Sequence, residues 1–324
     1  MILYWLLSGC TGAEQQSALI QIDGSSTVFP ITEAVAEDFQ RGRPSRVTIG
    51  VSGTGGGFKK LCRGETDIIG ASRPITDVEK SLCAEGGVGF IELPMAYDGI
   101  AVVIHPENDW STEMTVGQLK TIWQPEAQGK IMAWNQIDPA WPSEEMHLYG
   151  PGVSSGTYDY FTKAIVGKQH ASRGDVTSSE DDNVLVQGVA RDRYAMGFFG
   201  LAYYTENQEK VRAIAINDGD DSNGAGFILP SLAAITDGTY QPLNRPIFLY
   251  VSANVADRKE IGDFISFYLS AEGQALVREV GYVPLATAEY TIVKKRFDDR
   301  VTGSLFTKDT PIGMSIRRVL EGGQ

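Results

Sequence analysis

The chain has 324 residues, 42% of them hydrophobic, 21% charged and 10% aromatic, which excludes a wholly disordered chain and, at this length, favours two lobes over one core. A balance of 28 basic against 41 acidic residues gives a net charge of −13, a poor footprint for a nucleic-acid binder and one that repels small anions at long range. Any anion bound here must be held by local dipoles, and no apolar run approaches the roughly 18 residues of a spanning helix.

The chain opens on an apolar run that ends in Leu7-Ser8-Gly9-Cys10. That tetrad resembles the bacterial lipoprotein box, in which the signal is cut before the cysteine and the cysteine is acylated. No Lys or Arg precedes it, so the positive n-region is missing. The expectation is export with Cys10 as a lipid anchor; the alternative is a buried N-terminal strand. Residues 11–17 are small and polar, a short tether. Cys62 and Cys83 then remain as a pair, which suits an oxidising compartment and, as a disulfide, a gain of about 3 kcal/mol. The alternative is two buried free thiols. His105, His147 and His170 are scattered without ligand spacing, and no metal or cofactor is expected.

Strand and helix patterns then alternate. Residues 19–22 read as a strand, and Ile31, Ala34, Val35 and Phe39 form a helical stripe. Residues 47–51 make a second strand, 57–62 open a helix, 67–71 make a third strand, and 77–85 a further helix. Residues 99–104 are the most apolar strand. Helices are predicted at 116–123, 157–166 and 261–269, with strands at 147–149 and 246–251, and residues 184–190 and then 197–200 continue the alternation. This alternation argues an α/β fold with a mostly parallel sheet and helices on both faces.

Three segments share one design, a strand followed by Gly with Ser or Thr and then a helix. They are Asp23-Gly24-Ser25-Ser26-Thr27-Val28, Ser52-Gly53-Thr54-Gly55-Gly56-Gly57 and Gly150-Pro151-Gly152-Val153-Ser154-Ser155-Gly156-Thr157. A helix start offers unpaired N–H groups and a partial positive charge, glycine lets backbone approach a ligand, and hydroxyls donate without net charge. One such loop is an ordinary N-cap. Three in one chain, at the carboxyl ends of strands, point to an anion site. Ser72-Arg73-Pro74 adds a strand-end arginine able to meet an oxyanion in bidentate fashion, or else a surface salt bridge.

Gly152-Val153-Ser154-Ser155-Gly156 also fits the nucleophile elbow of α/β-hydrolases. Only His170 follows it, with no core strand between to carry an acid, so a triad is hard to build. The Walker and dinucleotide-binding patterns both fail: Leu61 follows Lys59-Lys60, and Phe58 stands where a third glycine belongs.

Asp23 to Pro30, Ser52 to Lys59, Gly64 to Pro74, Tyr97 to Ile104 and Ser155-Gly156-Thr157 together resemble the phosphate-binding proteins of high-affinity phosphate ABC importers. The lipoprotein box and the Cys62/Cys83 pair look most like the cyanobacterial-type branch. The similarity runs from about residue 18 to about 285. It implies a type II periplasmic-binding-protein fold: two α/β lobes, a two-strand hinge near residues 97–99 and again near Tyr250, and phosphate clamped between. The lobes would divide as 18–98 with 249–324, and 99–248, after a tether at 1–17. Carried over, Thr27 supplies a hydroxyl and Val28 its N–H, beside Ser26. Thr54 and Ser72 add hydroxyls from the same lobe, and Ser155, Gly156 and Thr157 donate from the other.

Two positions depart from the best-known members. They carry Asp where Arg73 stands, and Arg where Pro151 stands. On this reading Arg73 supplies the positive charge, and Asp98 at the hinge is the candidate acceptor for a phosphate proton. The implied protein performs no chemistry. It is a monomeric, exported, periplasmic or cell-surface lipoprotein that delivers inorganic phosphate to ABC permease subunits and touches the membrane only through its anchor. The alternatives are another oxyanion, sulfate or a phosphate ester, an exported serine hydrolase using Ser154, and a surface receptor that keeps the fold alone.

Overall fold

Local sequence explains most of the elements in a computed structural model, which describes residues 18–307 and 310–322. Strands β1 (Leu19–Gly24), β2 (Arg46–Ile49), β3 (Ile68–Ala71) and β4 (Phe90–Ile104) alternate with helices α1 (Phe29–Gln40), α2 (Gly53–Cys62) and α3 (Asp77–Glu85). Pro30 sits in the first turn of α1, where its missing N–H costs nothing, and Ile31, Val35 and Phe39 are fully buried. Each such side chain contributes roughly 1.5–3 kcal/mol of burial. Thr76 and Glu79 form a capping box that starts α3. Cys62 and Cys83 are disulfide-bonded, joining α2 to α3.

The chain continues through β5 (Glu113–Thr115), α4 (Val116–Trp123), β6 (His147–Pro151), α5 (Gly156–Phe161), β7 (Thr177–Ser179), α6 (Asp182–Ala190), β8 (Ala195–Gly200), α7 (Leu201–Glu206), β9 (Arg212–Ala213), β10 (Ala215–Asn217) and α8 (Leu232–Thr236). It returns along β11 (Asn244–Ser252) into α9 (Lys259–Tyr268), α10 (Ala271–Glu279), β12 (Val283–Pro284), α11 (Thr287–Asp298) and α12 (Ile316–Gly322).

The main sheet runs β2-β1-β3-β11-β4-β8-β6-β7. Its outer strands are parallel, but β11 is antiparallel to both β3 and β4, and β4 to β8. The mostly parallel expectation therefore fails in the middle, because β4 carries the chain out of one lobe and β11 carries it back. β4 is also much longer than the expected 99–104. Pro94 has no N–H to give the ladder, and a register shift between Ile247 and Phe248 opposite it lets the pairing continue.

The fold is two-lobed. One hydrophobic core gathers β1–β3, the first part of β4, residues Ile247 to Val251, and helices α9–α12; the other begins at Ile100 and includes Tyr240 and Leu243. Tyr97 packs against both. The C-terminal segment spans them, with Ile312 on the second core and Ile316 and Leu320 on the first. No helix among the described residues is long and apolar enough to cross a membrane, and Cys10 lies outside the described residues.

Candidate functional site

The three glycine-and-hydroxyl loops converge between the lobes. Each follows the carboxyl end of a strand: β1 for Ser25 to Val28, β2 for Ser52 to Thr54, and β6 for Ser155 to Thr157. β1 and β3 approach so closely that a Cβ on Gly24, at φ +128°, would lie 2.1 Å from the Gly70 carbonyl; only glycine fits there.

Across the lobe boundary, the Thr27 and Thr157 hydroxyls lie 3.0 Å apart, and the Gly55 N–H donates to the Ser154 carbonyl at 2.9 Å. On the first lobe, the Ser72 Oγ accepts from Ser25 Oγ at 3.0 Å and lies 3.3 Å from Thr54 Oγ1. A Cβ on Gly156 would sit 2.4 Å from Thr54 Oγ1 and 2.5 Å from Ser72 Oγ, so the closed lobes meet at this glycine. Thr27, Thr54, Ser72, Ser155 and Thr157 are all buried.

A residue that sequence reasoning missed sits at the centre. Arg245, on β11, is fully buried and lies opposite Asp98 of β4 in the sheet register. Its Nη2 and Nε donate to Asp98 Oδ2 at 2.7 and 3.0 Å. Nη2 also reaches Thr157 Oγ1 at 3.0 Å and Thr27 Oγ1 at 3.3 Å, and Nη1 reaches the Ser72 carbonyl at 3.3 Å. One guanidinium therefore touches two of the three loops and the end of β3. Burial pushes the Asp98 carboxyl up, against the pull of Arg245; its Oδ1 makes no hydrogen bond of good geometry. Asp182, the first residue of α6, is also fully buried, and neither of its oxygens makes such a bond. Burial pushes its carboxyl up to about 7, Arg245 opposing and Asp98 adding to the rise.

Some groups of the expected site are already bonded within the protein. The Val28 N–H is held by the Ser25 carbonyl at 3.1 Å, and the Ser26 carbonyl accepts from Tyr203 Oη at 3.1 Å. Ser155 caps α5 by accepting from the Thr157 N–H. Arg73 is 6% exposed, so it is no surface residue. Its guanidinium is committed to Glu79 in bidentate fashion, at 2.8 Å for each bond, and to Asp159 at 2.5 Å. Of the two arginines, Arg245 is the one bonded to the hydroxyl cluster.

For the elbow serine, Ser154, no hydrogen bond to a histidine is found among the described residues. His147 pairs with Asp192 and His170 with Asp159, while His105 Nδ1 accepts from the Glu107 N–H. No group of three His, Cys, Asp or Glu among the described residues is arranged to hold a metal.

A neutral arginine–carboxylate pair ringed by hydroxyls and helix starts can hold a small tetrahedral oxyanion without net charge. The PBP superfamily domain profile matches residues 11–272. The chain is 47% identical to Protein SphX of Synechococcus elongatus over 310 residues, covering 95% of this chain and 90% of that one. It belongs to the SphX/PstS family of the PBP superfamily. Within that family, the phosphate-binding protein PstS of Staphylococcus saprophyticus is 36% identical over 281 residues, covering 86% of this chain and 83% of that one. A Clostridium perfringens structure solved with bound phosphate, assigned as a phosphate ABC transporter substrate-binding protein, superposes with a TM-score of 0.70 at 25% identity, covering 83% of this chain and 100% of that one.

Proposed function

We propose that this protein captures inorganic phosphate between its lobes and hands it to an ABC permease, performing no chemistry. The observation that carries the reading is Arg245, a fully buried guanidinium bonded at once to Asp98, Thr27 and Thr157. The phosphate-binding relatives support it, and so does the convergence of three donor loops.

In this reading Arg245 and the hydroxyls of Thr27, Thr54, Ser72 and Thr157 hold the phosphate oxygens. They exchange bonds they now make with one another for bonds to the anion, joined by Ser26, Ser155 and the backbone at Val28 and Gly156. Asp98 accepts the phosphate proton through Oδ1, which excludes sulfate because sulfate carries no proton at neutral pH. These donors, each worth on the order of 1–3 kcal/mol before ordering costs, suffice for the roughly 8 kcal/mol of micromolar binding.

The protein works outside the cytoplasm as a monomer, held to the membrane by lipid on Cys10 and steadied by its disulfide. Isothermal titration of Arg245→Ala with phosphate tests the site: loss of binding in a variant that still folds supports it, and an unchanged Kd removes Arg245 from the site. Labelling with radioactive palmitate tests the anchor, which Cys10→Ala would abolish.

A further inference from the structure

We propose that Arg73 and Asp159 form a closure latch, a positioning pair that joins the lobes around the anion without touching it. Arg73 stands at the end of β3 in the first lobe, and Asp159 on α5 in the second. Their side chains are 8% and 2% exposed and lie 2.5 Å apart, Nε to Oδ2. α5 is the same helix whose start carries Ser155, Gly156 and Thr157. Swinging that helix onto the first lobe brings Thr157 to Thr27 and Asp159 to Arg73 in one movement.

The other partners of the pair show how it can release. Arg73 is gripped in bidentate fashion by Glu79 of its own lobe, and Glu79 is itself fixed in the capping box of α3. Asp159 has His170 of its own lobe, Nδ1 to Oδ1 at 3.0 Å. Stranding one charge of a buried pair is strongly destabilising. Here opening leaves Arg73 its bidentate Glu79, and leaves Asp159 beside the exposed His170, a contact of 3.0 Å without hydrogen-bond geometry. The cross-lobe bond is therefore free to form and break with each cycle, and its strength sets how long the closed state lasts.

The test rests on the phosphate reading for its kinetic arm only. Stopped-flow release of phosphate is measured for Arg73→Ala, Asp159→Asn and the double variant. The latch requires each single change to raise koff about tenfold with kon within about twofold, and the double variant to be no worse than either. Arg73→Ala weakening binding while Asp159→Asn leaves it unchanged or tightens it would mean that Arg73 touches the anion, and would overturn the latch. So would two costs that simply add. If Asp159→Asn fails to fold, Arg73→Lys, which keeps the charge but loses the fork, takes its place and must also raise koff.

A second arm needs no ligand. Spin labels at Glu272→Cys and Glu126→Cys, exposed sites on opposite lobes, report the interlobe distance in phosphate-free protein. Asp159→Asn must shift that distribution toward longer distances, and an unshifted distribution contradicts the latch. Wild-type protein that binds no phosphate would sink the phosphate reading and leave this distance measurement to decide the latch.

Discussion

Arg245 and Asp98 face each other in register on the two strands that join the lobes, with Nη2 2.7 Å from Oδ2 and both side chains buried. The pair is neutral as a unit, so a protein of net charge −13 places a cation at its centre without a charged patch. Its position on the two connecting strands places the same two residues at the hydroxyl cluster and at the joint between the lobes.

Arg245→Ala should weaken phosphate binding by at least about thirtyfold, because truncating one member of a buried hydrogen-bonded charge pair costs on the order of 2–5 kcal/mol. Arg245→Lys should recover part of this, since an ammonium keeps the charge but cannot reach Asp98, Thr27 and Thr157 together. Titration calorimetry reads both; equal binding by all three proteins would contradict the assignment.

Asp98→Asn removes the acceptor and leaves Arg245 without its charge partner, so thermal stability should fall, by about 3–5 kcal/mol. Phosphate over sulfate selectivity should shrink at the same time, because an amide can donate to sulfate where a carboxylate repels it. Competition between the two anions checks this, and selectivity preserved in the variant would place the discriminating group elsewhere.

Gly156→Ala places a methyl 2.4 Å from Thr54 Oγ1 and 2.5 Å from Ser72 Oγ. The expected result is phosphate affinity at least tenfold lower with the melting temperature of the phosphate-free protein little changed, since the crowding exists only with the lobes together. A large fall in melting temperature without ligand would show that Gly156 serves folding instead.

Burial raises the Asp182 carboxyl from an ordinary value of 3.8 to about 7. The folded protein therefore holds a proton that the unfolded chain has released between those values. Stability is full below the lower value and falls as pH rises toward 7, at up to about 1.4 kcal/mol per pH unit. Asp182→Asn should flatten that slope and melt higher than wild type at pH 8, as seen in melting curves across the range; parallel profiles for the two proteins would refute it.

The loops around Thr27, Thr54 and Thr157 were legible because each is a local strand, turn and helix pattern, and the hinge position of Asp98 followed from the family resemblance. Arg245 was not. It stands in Asn244-Arg245-Pro246, just ahead of an apolar strand, and only a register that pairs it with a residue 147 positions away shows what it does. Arg73 was visible as a strand-end arginine, but its partner Asp159 lies 86 residues off and belongs to the other lobe. Propensity disfavours a glycine-rich helix start, so the sequence opens that helix at residue 57, yet α2 begins at Gly53. Packing overrides it there: a Cβ on Gly57 would lie 2.9 Å from the Gly24 Cα.

The most direct test of the phosphate reading is titration calorimetry of the protein from Ser17 onward, stripped of ligand, with phosphate and then with sulfate. The account predicts micromolar or tighter binding of phosphate and at least a tenfold preference over sulfate. Equal affinity for the two anions, or binding of neither, would contradict it.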